Sequence, residues 1–114
     1  MAREDINEVG RPISNTTWAS DLQVRKGGGV MLGLLGNSKN SASQYVMIFD
    51  SASSVSNGTA PSVHPLKVSA DDNFYMEIPV RGMNFDNGIY VANSTTNTTL
   101  TKGASDCWFT AVII

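Results

Sequence analysis

The stretch CWFTAVII, Cys107 to Ile114, decides how this chain folds. Read with a period of two, Cys107, Phe109, Ala111 and Ile113 fall on one face, and Trp108, Thr110, Val112 and Ile114 on the other. Both faces are mostly apolar. A strand with one face in water alternates apolar with polar residues, so this segment predicts a strand covered on both sides. One cover is the chain's own core; the second is expected from elsewhere.

Upstream, strand signals recur between turn signals and no helical periodicity intervenes. NTTWASDLQVRK predicts a half-buried strand with Thr16, Trp18, Ser20, Leu22 and Val24 on one face. After the Gly27-Gly28-Gly29 turn, VMLGLLG reads as a fully buried strand in which Gly33 marks a bulge or a close backbone approach. QYVMIFD, Gln44 to Asp50, is again apolar on both faces. A Ser-rich loop then leads to VHPLKV, whose Pro65 argues for a sheet edge. DDNFYMEIPV turns Phe74, Met76, Ile78 and Val80 inward and Tyr75, Glu77 and Pro79 outward, as a second edge strand. Asp86-Asn87-Gly88 predicts a hairpin turn between two short strands, and the Thr-rich TTNTTLTKGASD leads into the final strand. Short strands at regular turn spacing predict an all-β fold, an antiparallel β-sandwich or jelly-roll-like barrel. The division expected is an N-terminal arm over 1–13 and one sandwich domain over 14–114.

Composition excludes several classes. With 114 residues, 41% hydrophobic and 16% charged, the chain has enough apolar material for one packed domain. A formal net charge of -2 supplies no basic stripe, so neither nucleic acid nor a membrane is an expected partner. The single cysteine allows no intrachain disulfide, and no Cys/His cluster has metal-ligand spacing. MAREDINEVG lacks the apolar core of a signal peptide and no run is long enough to span a bilayer, so synthesis in a cytoplasm is expected. The four sequons, beginning at Asn15, Asn57, Asn93 and Asn97, are then by-products of Asn/Thr richness.

Candidates for chemistry are few. His64 is the only histidine and has no local nucleophile or orienting carboxylate. Cys107 lies in an apolar strand, where a thiol packs as a small hydrophobe. Asp71, Asp72 and Asp86 lack EF-hand spacing and read as turn residues. RKGGGV has no Lys-Ser/Thr opening a helix, so it is a turn and not a P-loop. No catalytic, cofactor-binding or metal residue is assigned, and no enzyme is expected. Tyr45, Tyr75, Tyr90, Trp18 and Trp108 are candidates for a sugar-stacking platform, with a core role preferred for the two tryptophans. A glycan-binding module would bring Tyr75 and Tyr90 onto one open surface.

A family resemblance adds to this reading. Gln44-Tyr45-Val46, Ile48-Phe49-Asp50, Asp72-Asn73-Phe74, Gly82 with Phe85, Gly88-Ile89, Val91, Ser94-Thr95 and Asp106-Cys107-Trp108-Phe109 together resemble a small domain of tailed-bacteriophage virion proteins, over Trp18 to Val112. The resemblance implies a β-sandwich on the virion surface with no catalytic residues. In that family the domain stands alone as a capsid decoration, or cement, protein or is joined to other structural parts; the expectation here is a decoration protein that binds the major capsid protein on the outer head and stabilises it mechanically. A tail or fibre component, or a receptor- or glycan-binding module, is the alternative. Lys102 stands where the pattern has an apolar residue, and the loop from Ser51 to Ser62 is unusually Ser-rich. Partnership with copies of itself, as a homotrimer, would supply the second cover for Cys107 to Ile114. The arm MAREDINEVGRPI, mixing Arg3, Glu4, Asp5, Glu8 and Arg11 with Ile6, Val9 and Ile13, would lie along a capsid surface.

Overall fold

The computed structural model describes residues 10–78 and 82–114. Their nine strands are β1 (Arg11–Ser14), β2 (Asp21–Arg25), β3 (Gly29–Ser38), β4 (Gln44–Phe49), β5 (Leu66–Val68), β6 (Asp72–Glu77), β7 (Met83–Phe85), β8 (Ile89–Ser94) and β9 (Cys107–Ile113). Among the described residues there is no helix. One antiparallel sheet, A, runs β1-β9-β3-β6, with β7 also on β3; the other, B, runs β2-β8-β4-β5. Packed together they form a β-sandwich, as the strand spacing predicted.

The core between the sheets follows from the period of two. Met31, Leu34, Phe74, Phe85, Phe109, Ala111 and Ile113 enter it from sheet A, and Val24, Val46, Ile48, Val68, Ile89 and Val91 from sheet B. β5 and β6 are sheet edges, as Pro65 and the alternation of β6 implied. The register of β3 on β9 shifts between Met31 and Gly33, which places the expected bulge at Leu32.

Three sequence readings are corrected. NTTWASDLQVRK is strand only over β2, because residues 15–20 carry the chain from sheet A to sheet B. There Asn15 acts as a splice: its amide donates to the carbonyls of Thr17 and Cys107, and its Oδ1 accepts from the Phe109 N–H. VMLGLLG is not buried throughout, since Leu35 faces outward and is 39% exposed. The Asp86-Asn87-Gly88 turn does not close a hairpin, because β7 pairs with β3 in sheet A whereas β8 pairs with β2 and β4 in sheet B. Of the arm read at 1–13, Arg11 to Ile13 belong to β1; residues 1–9 lie outside the described residues, as do Pro79 and Val80.

That sheet-to-sheet turn is held by a carboxylate. Asp50 Oδ1 accepts from the Asn87 N–H at 2.8 Å and the Gly88 N–H at 3.2 Å, and Oδ2 accepts from the Asp86 N–H at 3.2 Å. Asp50 thus supplies the acceptors for three consecutive N–H groups of the turn. Gly88 is required by close approach, since a Cβ there would lie 2.5 Å from the Ser51 carbonyl oxygen. The amide bonds, that of Asn87 foremost, hold the Asp50 carboxyl below its ordinary value. Its contribution to stability is therefore complete above the unfolded carboxyl's ordinary value of 3.8 and disappears as pH falls through the lower folded one. The melting temperatures of wild type and Asp50→Asn should accordingly differ at neutral pH and converge in acid. A constant difference down to about pH 2 would show that the charge is irrelevant to the turn.

A buried polar network joins the sheets at the other end. Asn93, fully buried in β8, places its amide 3.2 Å from Gln44 Oε1, 3.0 Å from the Ala104 carbonyl, 3.1 Å from Asp106 Oδ1 and 3.1 Å from Cys107 Sγ. Its Oδ1 accepts from the Gly103 N–H at 3.1 Å. The sequon asparagines Asn93 and Asn15 are thus internal connectors, whereas Asn57 and Asn97 are exposed.

Candidate interaction surface

The outer faces of the two sheets are treated very differently by the chain. On sheet B, Met47, Phe49, Tyr90 and Ala92 point away from the central core, yet all are buried. Leu100 and Val55, isolated apolar residues in the Thr-rich and Ser-rich loops, pack onto them. The loops are stitched together: the Gly58 N–H donates to the Leu100 carbonyl and the Leu100 N–H to the Thr59 carbonyl, both at 2.8 Å. Lys102 fastens the seam, 3.2 Å from Asp21 and donating to Ser54 Oγ at 3.1 Å. Tyr90 donates its hydroxyl to Asp21 beneath. The apolar outer patch of Met47, Phe49, Tyr90 and Ala92 on sheet B is therefore covered by this chain's own loops.

No described loop covers the outer face of sheet A in the same way. Strand register lays out three rows across it. Pro12, Val112, Gly33 and Glu77 form the first; Ser14, Thr110, Leu35 and Tyr75 the second; and Trp108, Asn37 and Asn73 the third. Tyr75 is 65% exposed, Leu35 39% and Trp18 38%. Trp18 meets Trp108 edge-on, ring centroids 5.4 Å apart, and Lys39 Nζ sits 4.3 Å over the Trp18 ring. Both tryptophans were read as core residues, and that reading is corrected. The crossover at residues 15–20 runs beside β9 and brings Trp18 onto the outward side of that strand.

The polar side chains of this face bond to each other. Ser14 Oγ and Thr110 Oγ1 are 2.6 Å apart, and Asn37 donates to Asn73 Oδ1 at 2.8 Å. Covering them costs little desolvation, because their partners stay with them. The charged groups lie at the margins, Glu77 at the end of one row and Lys39 against Trp18. Exposed Leu35, Tyr75 and Trp18 set among paired polar groups, with charges at the rim, are a composition suited to burial against a partner.

The candidates for chemistry are dispersed. His64 is exposed, with Nδ1 2.8 Å from the Pro65 carbonyl. Asp71 and Asp86 are exposed turn residues, whereas Asp72, read as a turn residue too, is exposed but opens strand β6 opposite Ser38, and among the described residues no three metal-ligating side chains converge. Cys107 is buried, and burial pushes its thiol above the ordinary value, opposite to what a nucleophile needs. Tyr75 and Tyr90 are on opposite sheets and Tyr90 is 2% exposed, so they build no common sugar platform. Compared with known proteins, the chain matches no family model, no curated protein and no solved structure.

Proposed function

We propose that this chain is a structural protein of a tailed-bacteriophage virion, a capsid decoration (cement) protein that holds the outer head surface together through the outer face of sheet A. The observation that carries the reading is the contrast between the faces: the chain covers the apolar outer patch of sheet B with its own loops and leaves Leu35, Tyr75 and Trp18 exposed on sheet A. The resemblance of Trp18 to Val112 to the virion domain supplies the setting, and the dispersed His64, Cys107 and aspartates supply no competing chemistry.

Cement action needs geometry alone. Each copy sets its outer sheet A face, about 800 Å² for an interface of ordinary size, against the major capsid protein or a neighbouring copy. Several such contacts, linked in a trimer, must then break together when packaged DNA presses outward.

The test compares heads bearing wild-type protein, the double variant Leu35→Lys/Tyr75→Glu, whose opposite charges face each other across the ladder, and no protein. Both positions are exposed, so the variant should melt like wild type but fail to attach. Heads without the protein should assemble yet release DNA at lower temperature and under milder osmotic shock. Wild-type resistance in particles shown to lack the protein would overturn the cement reading. A specific loss of host adsorption would transfer the assignment to the tail or fibre.

A further inference from the structure

Of the five aromatic candidates for sugar stacking, four are accounted for. Trp18, Trp108 and Tyr75 belong to the outer face of sheet A, and Tyr90 is buried under the loops of sheet B. Tyr45 remains, and it lines a concavity. A cleft of about 260 Å³ on the outer side of sheet B is walled by Tyr45, His64, Pro65, Lys67 and Asn97. Antiparallel pairing sets Tyr45 directly opposite Lys67 on the edge strand β5. His64 and Pro65 lead into that strand, and Asn97 arrives from the Thr-rich loop after β8.

We propose that this cleft binds a single pyranose ring bearing a carboxylate, of the uronic or sialic acid class. Its volume lies below the roughly 300–1,000 Å³ of drug-sized sites, which suits one ring. The Tyr45, His64 and Pro65 rings provide an apolar wall for the C–H face of a sugar, and the Lys67 ammonium and Asn97 amide provide donors. The charge pattern selects the acid. A site for neutral sugars needs carboxylate or similar acceptors for the hydroxyl protons; here no Asp or Glu lines the cleft and its fixed charge is the Lys67 cation. A charge-assisted bond from Lys67 to the sugar carboxylate is the strongest contact available. The inference does not rest on the head assignment, because the cleft and the sheet A face lie on opposite sides of the sandwich.

The test is a ¹⁵N-resolved NMR titration of the full chain with D-glucuronate and with N-acetylneuraminate, alongside methyl glucoside and acetate. At least one acidic sugar should shift amides at Tyr45, His64, Lys67 and Asn97 and leave Leu35 and Tyr75 unmoved. Lys67→Gln, an exposed change, should weaken that binding about tenfold, the expected loss of a charged hydrogen bond. Tyr45→Leu should weaken it too while Lys67→Gln retains the wild-type spectrum elsewhere. The proposal is overturned if neither acidic sugar shifts the cleft, if acetate or methyl glucoside shifts it equally, or if affinity survives Lys67→Gln.

Discussion

Phe109→Ala should remove about 3–5 kcal/mol of folding free energy. The ring is fully buried on the inner face of β9, with its centroid 6.1 Å from that of Phe74. Directly across the ladder from it on β3 is Gly36, and on the far side of Gly36 is Phe74. Phe109 therefore packs over bare backbone. Gly36 has no side chain to lean into a vacated space, and it cannot acquire one, because a Cβ there would collide with the Trp108 carbonyl oxygen. A cavity at Phe109 stays open, which puts the cost at the upper end for such truncations. That is from about a fifth to the whole of an ordinary stability of about 5–15 kcal/mol, so the urea midpoint should fall sharply. Phe109→Leu should retain most of the midpoint in urea. A wild-type urea midpoint for Phe109→Ala would mean that β9 does not organise the core.

The second large loss is expected at Asn93, where the fold depends on satisfaction of polar groups. Asn93→Leu keeps the volume but removes the side-chain bonds to Gln44 Oε1, the Ala104 carbonyl, Asp106 Oδ1 and the Gly103 N–H, leaving the Gly103 N–H with the Asn93 carbonyl at 3.3 Å and Gln44 Oε1 with the Cys107 thiol at 3.7 Å. Each lost bond is worth about 0.5–1.5 kcal/mol net, so a combined loss of about 3 kcal/mol is expected. Asn93→Asp gives a sharper result. It would place a second carboxyl beside Asp106, whose Oδ1 is 3.1 Å from the Asn93 amide. Like charges raise the folded-state value of the new carboxyl above its unfolded one, so protonation favours the folded form. This variant should be least stable at neutral pH and recover in mild acid, in the sense opposite to Asp50. A pH-independent deficit, read by thermal melts, would contradict the network.

What was legible in the sequence is explained by what periodicity encodes. Alternation along QYVMIFD, DDNFYMEIPV and CWFTAVI reports which side chains share a face, and β4, β6 and β9 follow it. Alternation does not say what covers a face. Val46 and Ile48 enter the central core while Met47 and Phe49 lie under the loops, and both sets read simply as apolar. The cover of sheet B had a faint signal, the lone Val55 and Leu100 in otherwise polar loops. Which strands pair was less legible still. Asp86-Asn87-Gly88 has the chemistry of a hairpin turn, but the donors it must satisfy go to Asp50, thirty-six residues away at its nearest. Trp18 was misplaced because its face depends on a crossover held by Asn15, a tertiary contact with no local pattern. The rows Ser14-Thr110 and Asn37-Asn73 likewise exist only once β1, β9, β3 and β6 lie side by side.

The pairing of β1 with β9 decides how the fold would respond to an applied force. Arg11 lies opposite Ile113 and Ser14 opposite Thr110, so the chain enters β1 and leaves β9 at one end of the sandwich. Antiparallel ladder bonds run perpendicular to the strands. Tension applied between Arg11 and Ile113 would therefore pull along those bonds and open them pair by pair, like a zipper, and the ladder would yield at the strength of one pair at a time. Tension entering through the outer face of sheet A is shared among strands pulled side by side, with no single ladder bearing the load. A tether joined through the two chain ends would make this domain a soft link; held by its face, the same domain is a stiff plate.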